Sequence, residues 1–96
     1  MATIKGTKKQ ARKRHRQSLV RRDKNRSVRN RVRRQMRKMR AVSAEGDAEQ
    51  INSVLVETMS IIDAGRRRGV LHRNTAARYK SRMALGAQAG LAQQDA

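Results

Sequence analysis

Lys and Arg are the residues of this chain whose number and distribution most clearly indicate a chemical role, which is the binding of anions. Eighteen of the first forty residues are Lys or Arg, and Asp23 is the only acid among them. Residues 41–65 hold five acids and no base, and residues 66–96 hold seven bases and one acid. A run of like charge this dense calls for a polyanionic partner. The sequence therefore predicts a protein that binds nucleic acid.

Two segments carry the candidate phosphate-binding residues. The first is the basic run from Lys5 to Arg40, which lacks the interspersed acids of an ordinary solvated surface. The second is Leu71 to Lys80, where bases surround a predicted helix start whose free N–H groups also attract phosphate. For this second segment, an ordinary capped helix with a basic surface is the alternative. From charge and position, the candidates in these segments include Arg14, Arg16, Arg21, Arg22, Lys24, Arg26, Arg29, Arg33 and Lys80.

Catalytic and metal chemistry have no support in the sequence. His15 and His72 are far apart, there is no Cys, and no carboxylate stands at ligand spacing from either histidine. The five acids of the middle segment are dispersed and fit charge balance better than a catalytic pair. We therefore expect no enzyme activity, no metal, no cofactor and no small-molecule substrate.

Composition sets the size and class of the protein. Leu, Ile, Val and Phe make up 16 of 96 residues, below the roughly 20% at which high net charge accompanies disorder. We expect one small, marginally stable domain that its ligand completes. No apolar run is long enough for a secretory signal or a membrane span, which favours a soluble, cytoplasmic protein.

Helices are predicted throughout, because the chain has no Pro and no alternating strand pattern. The first apolar stripe lies on one helical face and consists of Val28, Val32, Met36, Met39 and Val42. Upstream of Val28 the same face is polar, so residues 1–27 have nothing apolar to bury. We expect this segment to be disordered in the free protein and helical on a polyanion. If the first helix then runs from Lys5 to Ala41, it is roughly 55 Å long at 1.5 Å per residue.

A second helix should begin at Asp47, an N-cap residue whose partner in a capping box is Gln50. Gly69 is a plausible terminator of this helix. Its predicted apolar face comprises Ala48, Ile51, Val54, Leu55, Met59, Ile61 and Ile62.

A third helix should begin at Asn74, a good N-cap residue, and present the inner face Ala76, Tyr79, Met83 and Ala87. Residues 86–96 read as a low-complexity tail that frays. The predicted architecture is all-α: a three-helix bundle over residues 28–85, from which the basic first helix extends through residues 1–27.

Two blocks of this sequence resemble bacterial small-subunit ribosomal protein S20. One is the opening Ala2-Thr-Ile-Lys-Gly-Thr-Lys-Lys-Gln10, and the more specific one is Gly69-Val-Leu-His-Arg-Asn-Thr-Ala-Ala-Arg-Tyr-Lys80. The resemblance covers roughly Ala2 to Met83. It implies a three-helix bundle whose first helix enters ribosomal RNA, contacting the 5′ domain early in assembly and also the 3′ minor domain. The RNA-contacting positions that it implies are Lys5, Lys8, Lys9, Arg12, Lys13, His72, Arg73, Asn74, Ala77 and Arg78.

Two positions depart from the family pattern. Thr75 stands where a Lys is common, which removes one phosphate contact, and the tail after Leu85 is richer in Gly and Ala. The expected function is a structural ribosomal protein that is part of a large ribonucleoprotein and forms no homo-oligomer.

Two other hypotheses compete with this one. A DNA-compacting protein of the nucleoid type would share the charge but has no need of the amphipathic bundle. A membrane-surface peptide would need an apolar face that the segment Lys5 to Ser27 lacks.

Overall fold

The computed structural model describes the backbone of residues 2–95 and the side chains of residues 8–94. Three helices follow one another: α1 (Ala2–Glu45), α2 (Ala48–Arg67) and α3 (Arg73–Asp95). The molecule is long and thin, with principal extents of 77 × 20 × 13 Å. Each helix packs on the other two. The predicted all-α, three-helix architecture with a long first helix is confirmed.

Only the C-terminal part of α1 belongs to the bundle. The side chains of residues 8–24 are all exposed, Val28 is partly buried, and Val32 and Met39 are each 1% exposed. The apolar stripe therefore starts where the sequence predicts. Before Val28 the helix protrudes from the bundle for about 40 Å, at 1.5 Å per residue.

The core is thin and made of aliphatic residues and methionines. Its fully buried centre is Ile51 and Ile62 of α2, both 0% exposed, packed against Val32 and Met39 of α1. The third helix contributes the small face that the sequence predicts, with Ala76, Met83 and Ala87 buried and Tyr79 partly buried. In α2 the predicted face holds except at Ala48, which is exposed because it lies in the first turn, at the end of the bundle.

One polar pair is buried between α1 and α2. Gln35 Nε2 donates to Thr58 Oγ1 over 3.1 Å, and Thr58 Oγ1 donates in turn to the Val54 carbonyl oxygen over 2.7 Å. Thr58 is 0% exposed and Gln35 is 8% exposed. Because a buried polar group without a partner is costly, this pair fixes the register of α1 on α2.

The turn between α1 and α2 forms as predicted. Gln50 N–H donates to Asp47 Oδ1 over 2.8 Å, and Asp47 N–H donates to Gln50 Oε1 over 3.2 Å, which completes a capping box. Gly46 is required here by space, since a Cβ at this position would lie 2.8 Å from the Val42 carbonyl oxygen.

The second helix ends at Arg67, and Gly69 follows its cap residue as the terminator that the sequence predicts. Gly69 has φ of 75°, a left-handed conformation that glycine adopts without strain. Gly69 N–H donates to Arg66 O over 2.9 Å and Val70 N–H donates to Gly65 O over 3.1 Å. These two bonds form a Schellman motif, which satisfies carbonyls at the end of α2.

The structure corrects two expectations about α3. The helix begins at Arg73, and the capping acceptor is His72, whose Nδ1 accepts the Asn74 N–H over 3.1 Å; Asn74 lies inside the first turn and is not the N-cap. The tail predicted over residues 86–96 is helical to Asp95. The reason is packing against α1: Gly90 is buried against Ser43.

Candidate nucleic-acid interface

The protruding part of α1 presents basic side chains on every side. No second element of the chain packs on residues 8–24, so their Lys and Arg side chains all face solvent. The prediction for Lys5 lies outside the residues whose side chains are described. The exposed candidates on this part of the helix are Lys8, Lys9, Arg12, Lys13, Arg14, Arg16, Arg21, Arg22, Lys24 and Arg26.

The two segments predicted from sequence meet at one end of the bundle. A Cβ built on Gly65 would lie 3.0 Å from Leu71 Cδ1 and 3.7 Å from Val28 Cγ1. The α2–α3 connection therefore packs at the point where α1 leaves the bundle. As a result, the start of α3 lies beside the base of the basic helix, although more than forty residues of sequence separate them.

The start of α3 exposes most of its candidates. His72, Arg73, Asn74, Ala77 and Arg78 are all exposed. The first N–H groups of a helix carry partial positive charge, so this surface adds to the field of the basic side chains around it. His72 keeps Nδ1 occupied by the Asn74 N–H, which leaves Nε2 as the ring nitrogen free for a ligand.

Lys80, a further candidate, has a partner within the protein. Its Nζ lies 3.0 Å from Asp63 Oδ1 of α2, and the two side chains are 41% and 44% exposed. An ion pair this exposed contributes little stability. Its position shows that Lys80 lies on the α2 side of α3, away from Arg78 and the open face of the helix.

Acidic side chains gather on α2 and at the far end of the bundle. Glu45, Asp47 and Glu49 surround the α1–α2 turn, and Glu57 of α2 lies 3.5 Å from Lys38 Nζ. The molecule is therefore electrically polar: it is basic along protruding α1 and at the start of α3, and acidic around the α1–α2 turn. Such a polarity orients the protein on a polyanion.

The structure also brings together arginines that were not among the candidates. Arg31 of α1 and the pair Arg67 and Arg68 of α2 line one depression beside Val28. On the other side of α1, a groove of about 370 Å³ is lined by Arg33, Arg37, Arg40, Tyr79, Arg82 and Met36. Of these basic residues, only Arg33 was a candidate from the sequence. Arg33 and the further candidate Arg29 are both exposed on α1.

A sequence pattern for the second arginine set does exist. Arg33, Arg37 and Arg40 follow helical spacing and flank the apolar position Met36. Arg82 directly precedes the buried Met83. Residues flanking an apolar stripe lie at the rim of the helix–helix contact, so the basic rim of the α1–α3 seam was open to prediction.

The described residues include neither a cluster of metal ligands nor a helix that could span a membrane. Among those residues, no three His, Cys, Asp or Glu side chains are grouped as a metal site requires. Over the same residues, no helix combines the length and the apolarity of a membrane-spanning segment.

Comparison with known proteins identifies the family. A sequence model of the family "Ribosomal protein S20" matches residues 7–87. The small ribosomal subunit protein bS20 of Koribacter versatilis (strain Ellin345) is 42% identical over 77 residues, which cover 80% of this chain and 86% of that protein. The bS20 of Treponema denticola is 45% identical over 73 residues, covering 76% of this chain and 82% of that protein.

A third relative is similar over much of the chain. The bS20 protein of Bordetella pertussis is 39% identical over 80 residues, covering 83% of this chain and 92% of that protein. The family match runs through all three helices and stops within α3, at residue 87. With its three helices and its exposed basic first helix, the chain belongs to the ribosomal protein S20 family, which consists of structural proteins of the small ribosomal subunit.

Proposed function

We propose that this protein binds small-subunit ribosomal RNA directly, neutralises phosphates that would otherwise repel, and so aids assembly of the RNA's 5′ domain. A second contact, with the 3′ minor domain, is part of the proposal and rests on the resemblance to the S20 family. The expectation of a ribosomal, non-enzymatic protein is confirmed by family membership. The RNA domains named here are part of the proposal.

The observation that carries the proposal is the protruding half of α1. Residues 8–24 carry nine exposed Lys and Arg side chains and a single exposed carboxylate, that of Asp23. Like charges at helical spacing repel one another in water, and no apolar contact offsets that repulsion before Val28. Phosphates on several sides of the helix would offset it, since each basic side chain gains a charge-assisted hydrogen bond.

The mode of recognition follows from the side chains available. The deep and narrow major groove of A-form RNA does not admit side chains that read bases, and the described part of this chain has Tyr79 as its only aromatic residue for stacking. Contacts with phosphate and ribose are therefore the main source of affinity. RNA shape supplies the specificity, because it positions the phosphates that the helix meets.

The division of the chain into functional parts is part of the same proposal. Residues 1–27 act as the RNA-penetrating extension, and the bundle that begins at residue 28 positions it. The bundle includes α3 beyond residue 85, since Ala87 and Gly90 are buried against the other helices.

The test compares the full chain with a variant lacking residues 1–27, using a transcript of the 5′ domain of small-subunit ribosomal RNA. For six or more phosphate contacts, affinity of the full chain should fall on the order of 10³-fold between 50 and 200 mM salt. The truncated variant should bind weakly, respond less to salt and keep the helical circular dichroism of the bundle. A flat salt response of the full chain would refute the proposal.

Competition with duplex DNA tests the nucleoid-type alternative. Under the proposal, the 5′ domain transcript outcompetes random-sequence DNA of equal phosphate concentration. Equal affinity for the two would favour the DNA-compacting function. Nuclease footprints of the full chain on the complete small-subunit RNA would then identify which RNA helices are protected.

A further inference from the structure

The groove between α1 and α3 concentrates uncompensated positive charge. It is lined by Arg33, Arg37 and Arg40 from α1 and by Arg82 from α3, with Tyr79 and Met36 between them. No Asp or Glu lines it. Arginines held this close repel one another, so the arrangement lowers stability unless an anion lies among them.

On the opposite side of the bundle, basic side chains form ion pairs within the protein. Lys38 of α1 lies 3.5 Å from Glu57, and Lys80 of α3 lies 3.0 Å from Asp63, so both lysines pair with carboxylates of α2. Among the described residues these are the ion pairs of the structure, and neither involves an arginine of the groove. The groove arginines therefore have no role in balancing charge within the bundle.

The groove also continues past its basic part. A second stretch, again about 370 Å³, shares Arg40 and Arg82 and runs on between Met39 and Met83 towards Gln93. Its floor is mostly apolar and includes Gly86, beside which a Cβ would meet no atom within 4 Å. Arginine forks at the rim with an apolar floor suit a sugar–phosphate backbone, in which charged phosphates alternate with less polar ribose.

The groove joins surfaces already described. Arg78 precedes Arg82 by four residues and therefore shares its helix face, which links the groove to the start of α3. On α1, Arg26 precedes Arg33 by seven residues, which links the groove to the protruding basic helix. The three surfaces form one continuous basic path along the side of the molecule away from α2.

We propose that the α1–α3 groove is a binding site for a sugar–phosphate backbone of RNA, with Arg37, Arg40 and Arg82 as phosphate ligands that work together with Arg33. This inference rests on the proposed function and adds a docking site on the bundle to the contact made by the protruding helix. The bundle consequently sits on RNA with α1 and α3 inward, and α2 faces away.

The test pairs two variants that each remove two positive charges. The groove variant is Arg40→Gln with Arg82→Gln. The control is Lys38→Gln with Arg66→Gln; Lys38 pairs with Glu57 of α2, and Arg66 is exposed in the last turn of α2, the helix that faces away from RNA in this proposal. Glutamine keeps part of the aliphatic stem in each case, so packing along the helices is preserved.

Both variants are titrated with the 5′ domain transcript over a series of salt concentrations. The groove variant should bind at least about 10-fold more weakly than the full chain, as expected when charge-assisted hydrogen bonds are lost. Its slope of log affinity against log salt should fall by about 2, roughly 1 per phosphate contact. The control should keep the affinity within about 3-fold and the slope within about 0.5.

Equal losses in the two variants would overturn the inference, because they would reflect net charge rather than a site. That result would leave the proposed function standing if removal of residues 1–27 still weakens binding. If the groove variant melts at a lower temperature than the control, Arg40→Lys with Arg82→Lys serves instead. This charge-preserving variant should keep the salt slope but lose affinity where bidentate contacts are replaced by single ones; full affinity would count against an arginine-specific site.

Discussion

Gly90 and Gly86 lie one turn apart in α3 and should respond oppositely to the same substitution. A Cβ on Gly90 would fall inside the van der Waals contact distance of the Ser43 carbonyl oxygen, 3.2 Å from the Ser43 carbonyl carbon and 3.3 Å from Ile51 Cδ1. A Cβ on Gly86 would meet nothing within 4 Å. Neither glycine has a positive φ, so alanine fits the backbone conformation at both positions.

The magnitudes follow from two opposing effects. Replacing a glycine inside a helix by alanine stabilises a protein by about 0.5–1 kcal/mol, mainly because the unfolded chain loses conformational freedom. Gly86→Ala should gain that amount. Gly90→Ala gains it too, but forces α3 away from the backbone of α1, and overpacking of this kind costs about 1–3 kcal/mol. The two variants should therefore differ in free energy of unfolding by about 1–3 kcal/mol.

Thermal denaturation followed by circular dichroism measures this difference. For a domain of this size, 1 kcal/mol corresponds to a Tm change of about 4–8 °C. We expect the Tm of Gly86→Ala above that of the unsubstituted chain, and the Tm of Gly90→Ala at least about 4 °C below that of Gly86→Ala. Equal increases in Tm would refute the reasoning, because they would mean that the end of α3 does not pack on α1 and behaves as the frayed tail expected from composition.

Three further predictions concern the cap, the buried polar pair and the protruding helix. Asp47→Ala should destabilise the protein by about 1 kcal/mol in urea denaturation with an unchanged m value, since the capping acceptor is lost; an unchanged midpoint would contradict the cap's role. Thr58→Val should cost about 1–3 kcal/mol because Gln35 Nε2 is left buried without an acceptor, and adding Gln35→Leu should restore part of it. Strictly additive losses in this double-mutant cycle would show that the two side chains are not coupled. The amides of residues 8–24 should exchange rapidly in free protein and become protected on the 5′ domain transcript, because no packing stabilises that helix alone; strong protection in the free protein would contradict the expectation of disorder before Val28.

The core of the bundle was largely predictable, because periodicity reports which face of a helix is buried. Val32, Met39 and Ile62 lie where the apolar pattern places them. The Asp47 cap was predictable for a similar reason, since its partner Gln50 is three residues away. His72 was missed as the α3 cap because imidazole is an uncommon capping acceptor, while Asn74 is a preferred one.

The end of α3 was predicted wrongly because composition describes a segment alone. Gly86 and Gly90 weaken an isolated helix, but Gly90 also permits the close approach to Ser43 that packs this part of α3 on α1. The gain from packing depends on a neighbour more than forty residues away in sequence. Local propensity carries no information about such a neighbour.

The sequence by itself determined that the chain is helical, strongly basic, without metal ligands at useful spacing, and divided near Val28 into a charged and an amphipathic part. These properties depend on residue type and on local spacing, which can be read along the chain. Only the tertiary structure decided which distant residues share a surface: it placed the start of α3 beside the base of the protruding helix, paired Lys80 with Asp63, and lined up Arg40 with Arg82. The physical reason is that a helix fixes the direction of its own side chains, whereas the packing of three helices fixes which of those directions meet.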